Sequence, residues 1–144
     1  MSAEQRKFKR AIAPHSLTIT QGKVLAIDPG SNTLGWALFD KGHFVRSGKI
    51  SARGKDLAHT RLLHIIDELV DIAGVMHDVV CVEKLFRYNA SLVWSVGAVI
   101  AATRPEVLIE VPIRLWQARL DENYVKSDER DAIEIGKTLI EYAV

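Results

Sequence analysis

The chain has 144 residues, 48% hydrophobic and 26% charged, the composition of one globular domain rather than of a disordered polymer or a disulfide-stapled miniprotein. Nineteen Lys and Arg stand against 18 Asp and Glu, a formal net charge of +1, far from the excess of a strongly basic nucleic-acid-binding domain. One cysteine, Cys81, excludes an intrachain disulfide and fits a reducing, cytoplasmic compartment.

Residues 1–20 read as a basic N-terminal arm, loosely ordered over its first fifteen residues. Arg6, Lys7, Lys9 and Arg10 lie in it without the apolar core of a secretory signal. A single domain over 21–144 follows. Val24-Leu25-Ala26-Ile27 is a continuous apolar run, the pattern of a strand buried on both faces. It stops at the turn signal Asp28-Pro29-Gly30-Ser31-Asn32. Leu34 to Phe39 and His43 to Ile50 are two further strands joined at Asp40-Lys41-Gly42, so the first three strands form an antiparallel meander.

The period then changes. Leu62, Ile65, Ile66, Leu69 and Val70 recur at helical spacing up to Gly74. Val79 to Val82 is a fourth buried strand, ending at Glu83. Asn89 to Thr103 reads as a largely buried helix and Val107 to Val111 as a fifth strand. A short helix around 113–120 and a final helix from Glu129 to Ala143 complete the chain. The apolar stretch Leu92 to Ala102 falls short of the ~20 residues that span a bilayer, so no membrane partner is expected. Parallel crossovers are right-handed, which places the fourth strand beside the first. The expected architecture is α/β: a mixed five-stranded sheet, three strands antiparallel and the rest parallel, with helices on both faces.

Asp28 and Glu83 end two strands expected to be adjacent and parallel, so both carboxylates leave the same edge of the sheet. In open α/β sheets that edge binds ligands. Two acids together repel, and a proton or a cation must intervene. Asp128 and Asp131 open the last helix three residues apart and share one face. Four converging carboxylates suit a hard cation, Mg²⁺ with Mn²⁺ as its substitute. A pair of such ions activates water and stabilises the leaving oxygen in phosphodiester hydrolysis. Each acid also has a plainer reading. Asp28 before Pro-Gly suits a turn, and Asp128, Glu129 and Asp131 after Ser127 suit a capped helix N-terminus.

These segments carry a resemblance. Leu25-Ala26-Ile27-Asp28-Pro29-Gly30-Ser31 with Gly35-Trp36-Ala37, Val82-Glu83-Lys84-Leu85-Phe86, and Asp128-Glu129-Arg130-Asp131-Ala132-Ile133 resemble, in order, three motifs of the RuvC-type Holliday junction resolvases of the RNase H-like superfamily. The likeness covers about residues 23–143 and looks like a compact, phage-type member. It implies a homodimeric, Mg²⁺-dependent endonuclease that cuts four-way DNA junctions, with no nucleotide cofactor. Asp28, Glu83, Asp128 and Asp131 would be the catalytic, metal-binding acids. Phe86 would stack at the junction centre, and the helix from Asn89 to Thr103 would form the dimer contact. Lys84, Arg87, Arg114, Arg119 and Lys126 are candidate DNA-binding cations. One of Arg114, Arg119 and Lys126 would replace the lysine common in the family where this chain has Gln117.

The chain departs from the family in the short connection over 112–127. A different alignment there leaves the final acids unassigned, and the alternative is a catalytically inactive junction-binding protein. Actin-like and sugar-kinase-like nucleotide-binding domains also begin with a strand and an acidic glycine loop, but they need a second domain and phosphate loop that this chain lacks. Trp36, Trp94 and Trp116 are expected to pack, Cys81 to lie in the core, and the five histidines show no metal-ligand spacing. If bound cations neutralise four acids, 14 acids remain against 19 bases, and the surround is basic at +5.

Overall fold

The computed structural model describes residues 1–30, 33–51, 58–74, 77–84 and 90–144. Five strands, β1 (Lys23–Asp28), β2 (Thr33–Asp40), β3 (His43–Ser51), β4 (Val79–Glu83) and β5 (Val107–Val111), form one sheet in the order β3-β2-β1-β4-β5. β1 pairs antiparallel with β2, and β2 with β3. β1 pairs parallel with β4, and β4 with β5. The β2–β3 hairpin turns through Lys41 and Gly42, whose φ angles are 51° and 78°, the paired left-handed residues that match strand twist.

Alternation along the strands divides the core between the two faces of the sheet. Val24, Ala26, Val79 and Cys81 face one side, Leu25, Ile27, Val80 and Val82 the other. The second side is covered by α3 (Ala58–Ala73) and α4 (Ala90–Thr103), which contribute Ile65, Leu69 and Val99. The first is covered by α6 (Asp128–Ala143) through Ala132, Ile135 and Leu139, and by α5 (Ile113–Gln117) through Leu115 and Trp116. Cys81 lies in the sheet centre, and burial pushes its thiol up to about 12. Among the described residues no helix is long and apolar enough to cross a membrane.

Two expectations need correction. Residues 1–15 are not a loose arm. They form α1 (Ala3–Ile12) and a 3₁₀ turn at Ala13–His15, followed by α2 (Ser16–Gln21). Ser2 and Gln5 cap α1 reciprocally, the side chain of each bonding the backbone N–H of the other. Phe8 and Ile12, four residues apart, bury themselves in the same core as α6, and Phe8 meets Tyr142 edge to face at 5.5 Å. The density of cations in this segment conceals that apolar stripe. The second correction is Trp94, which is 62% exposed on α4, whereas Trp36 and Trp116 are buried.

Phe8 is 5% exposed, so Phe8→Ala should lower the unfolding free energy by about 3 kcal/mol in urea titration. A loose arm would leave the midpoint unchanged.

Candidate active site

Ile27 of β1 is level with Val82 of β4, so Asp28 and Glu83 leave adjacent parallel strands at the same edge. The first turn of α6 brings Asp128 and Asp131 to them. What allows this approach is Gly35 on β2, directly opposite Asp28 in the sheet register. A Cβ on Gly35 would lie 1.8 Å from the backbone oxygen of Asp128 and 2.8 Å from the nitrogen of Glu129. Two turns further along, a Cβ on Gly136 would strike the Phe39 ring at 2.2 Å. Gly35 lets the α6 backbone press directly on β2, and Gly136 makes room for the Phe39 ring between helix and strand.

Ser127 caps α6 by accepting from the backbone N–H of Arg130 at 3.2 Å. The positive end of the helix favours acids in its first turn. Both readings of this segment therefore hold together: the turn is a capped helix start, and its acids also reach the sheet edge. Glu129 diverges from the others, accepting from the Ser47 hydroxyl of β3 at 2.6 Å.

Asp28 and Asp128 share a side-chain hydrogen bond, a contact that requires a proton between the two carboxyls at neutral pH. Burial, this hydrogen bond and the charges of Asp131, Asp128 and Glu83 push Asp28 up from 3.8 to about 8. Burial and the charge of Asp131 also raise Glu83, with Lys126 opposing. The four acids are thus electrostatically one cluster. Hydroxyl groups that the sequence reading did not single out hold two of them. Thr33 donates to Asp128 Oδ2. Tyr124 donates to Oδ1 of Asp131 at 2.6 Å, where Asp131 is only 2% exposed. Ser95 of α4, fully buried, donates to the Gly30 carbonyl at 3.0 Å and tethers the loop after Asp28.

A hard divalent cation suits the chemistry of this donor set, because it removes the repulsion that otherwise keeps a proton on Asp28. Among the described residues, however, no group of three or more His, Cys, Asp or Glu side chains is arranged to hold a metal ion. The carboxyls engage one another and the neighbouring hydroxyls instead.

The candidate DNA-binding cations separate. Lys126 acts on Glu83. Lys84 is exposed at the end of β4, its backbone N–H donating to the Val111 carbonyl at 2.8 Å. Arg114 is exposed on α5. Arg119 is engaged by α6: its guanidinium donates to Thr138 at 2.8 Å and to Glu141 at 2.9 Å. Phe86 and Arg87 lie outside the described residues.

The chain has the fold of known junction resolvases. Thermus thermophilus RuvC superposes with a TM-score of 0.61 at 21% identity, over 84% of this chain and 95% of that one. T. thermophilus RuvC in complex with Holliday junction substrate gives 0.58 at 18%, over 84% and 94%. The fowlpox virus resolvase in complex with substrate Holliday junction DNA gives 0.51 at 13%, over 82% and 98%. No protein-family model and no curated protein sequence matches the chain.

Two measurements probe this geometry. Above pH ~4 the unfolded chain releases the Asp28 proton, whereas the fold retains it to about 8, so the contribution of Asp28 to metal-free stability falls as pH rises across that window. Asp28→Asn in EDTA should therefore gain Tm progressively from pH 4 to 8, reaching roughly 4–8 °C, the effect of about 2 kcal/mol in a domain of this size. Equal Tm values at pH 8 would contradict the clustered geometry. Gly35→Ala should cost about 3 kcal/mol through overpacking against α6, read as a lower urea midpoint; a neutral substitution would show that α6 stands off β2.

Proposed function

We propose that the chain is a divalent-metal-dependent endonuclease that resolves four-way or related branched DNA junctions. The observation carrying this reading is the cluster of Asp28, Glu83, Asp128 and Asp131 at the carboxyl edge of the sheet, on a fold shared with resolvases solved on junction DNA. Asp28, Glu83, Asp128 and Asp131 would hold Mg²⁺ or Mn²⁺. When bound, such ions supply Lewis acidity and charge neutralisation for phosphodiester hydrolysis.

The chain's own residues have separate tasks. Tyr124 and Thr33 fix the orientation of Asp131 and Asp128, so the α6 acids are held before substrate arrives. Lys126 places positive charge beside Glu83 and is the best placed of the three candidates to stand in for the family lysine. Specificity would follow branch shape and deformability more than base contacts. A homodimer through α4, which displays Trp94 to solvent, would present one site to each of two strands.

A second reading, an inactive junction-binding protein, draws on the arrangement of the carboxyls, which engage one another rather than forming a ready metal cage. Incubation of a synthetic four-way junction with the protein and Mg²⁺ separates the two. Paired nicks near the branch are expected, lost in EDTA and reduced on the order of 10²–10³-fold by Asp28→Asn, with junction binding retained. Binding by the wild-type protein without any nicking would assign it to the inactive class.

A further inference from the structure

The net positive charge of this chain lies in its N-terminal segment. Residues 1–22 hold four of the 19 Lys and Arg but only one of the 18 Asp and Glu. The rest of the chain therefore has 15 bases against 17 acids, a formal charge of −2. A body of that sign, with an acid cluster at its working edge, repels a polyanion. With the four cluster acids neutralised by cations the body holds 15 bases against 13 acids, +2, while residues 1–22 still carry +3 on far fewer residues.

α1 presents the opposite sign in a fixed geometry. Arg6, Lys7, Lys9 and Arg10 are all exposed, while Phe8 and Ile12 anchor the helix in the core. Arg6 donates to the Met1 carbonyl and closes the N-terminal turn, which leaves Lys7, Lys9 and Arg10 as the outward cations. Lys7 also lines an open cleft of about 470 Å³ between α1 and the ends of β4 and β5, with Lys84 among its other lining residues. Lys84 directly follows Glu83, so the cleft reaches the end of β4 one residue beyond an acid of the cluster. Glu4 and Glu110 line it too, which places the net positive charge on the outer ridge of α1 rather than on the cleft floor.

A basic amphipathic helix can also serve a membrane surface, but then its apolar face must enter the lipid. Here that face is already buried in the protein. Charge alone remains to be matched, as by a phosphate backbone.

We infer that α1 is a fixed ridge that holds the phosphate backbone of a DNA arm as it leaves the acid edge. That the DNA is a branched substrate rests on the nuclease reading; the contact itself does not. The full chain carrying Lys7→Gln, Lys9→Gln and Arg10→Gln together is compared with wild type for binding a fluorescent four-way junction and a linear duplex between 50 and 200 mM NaCl. The ridge predicts a log–log salt slope shallower by about 2–3, near 0.9 per lost phosphate contact. At the lowest salt, binding should weaken about 10–100-fold, while Tm and the cleavage rate at saturating junction stay at the wild-type level. Lys7→Arg with Lys9→Arg, which keeps the charge, should retain the wild-type slope.

An unchanged slope and affinity in the Gln variant would overturn the ridge and leave the nuclease reading intact. If the wild type binds DNA without cutting it and the slope still falls, the ridge stands and the nuclease reading fails. Wild-type binding to phosphatidylserine vesicles but not to DNA would overturn the ridge in favour of a membrane contact. No binding to any DNA would overturn both.

Discussion

The site depends on a contact between two backbones. α6 can bring its first turn to the end of β1 only because position 35 has no side chain; a single added carbon would occupy the space of the Asp128 carbonyl. Interiors are packed too tightly to absorb such a collision without a shift. The second small residue, Gly136, repeats the close approach against Phe39. These contacts fix the depth at which the helix sits, and that depth sets the separation of its carboxyls from those of the strands. Tyr124 and Thr33 then refine orientations that the backbone has already made possible.

The crowding of acids is a standing cost in the metal-free protein. A carboxyl with Asp28's environment holds its proton far above the ordinary range because burial and neighbouring charge act in the same direction. The surrounding fold outweighs that cost through the two apolar layers on either side of the sheet. Strained or repulsive arrangements persist where the surroundings over-determine them, and this cluster, framed by β1, β4 and α6, is such a case.

Much of this architecture could be read from the sequence because its strongest signals are periodic. The run Val24 to Ile27 announces a strand buried on both faces, and the structure divides its residues alternately between two cores. The change to helical spacing after Leu62 and the stop at Gly74 are equally direct, with Gly74 at φ 76°. Strand order put Asp28 and Glu83 at one edge and helix phase put Asp128 and Asp131 on one face, while the grouping of all four rested on the joint pattern of the three motifs. What stayed hidden depends on contacts between distant segments. The docking of α1 rests on Phe8 and Ile12, two apolar residues among many charges, although the Ser2–Gln5 capping pair was a usable signal. Tyr124 lies in a loop whose path no periodicity describes. The exposure of Trp94 could not be inferred from a helix rich in Ala and Val, which resembles a buried one all round.

The span of sequence that the acid cluster draws together has a kinetic consequence. Asp28 and Asp128 are 100 positions apart, while the β1–β2–β3 meander closes through short turns. Local hairpins form quickly, whereas contacts between remote segments must first overcome the entropy of closing long loops. The meander can thus be complete while the acids are still dispersed along the chain. The cluster exists only once α6 has docked on a finished sheet. A chain stalled during folding, or one that has lost its final helix, has no assembled cluster.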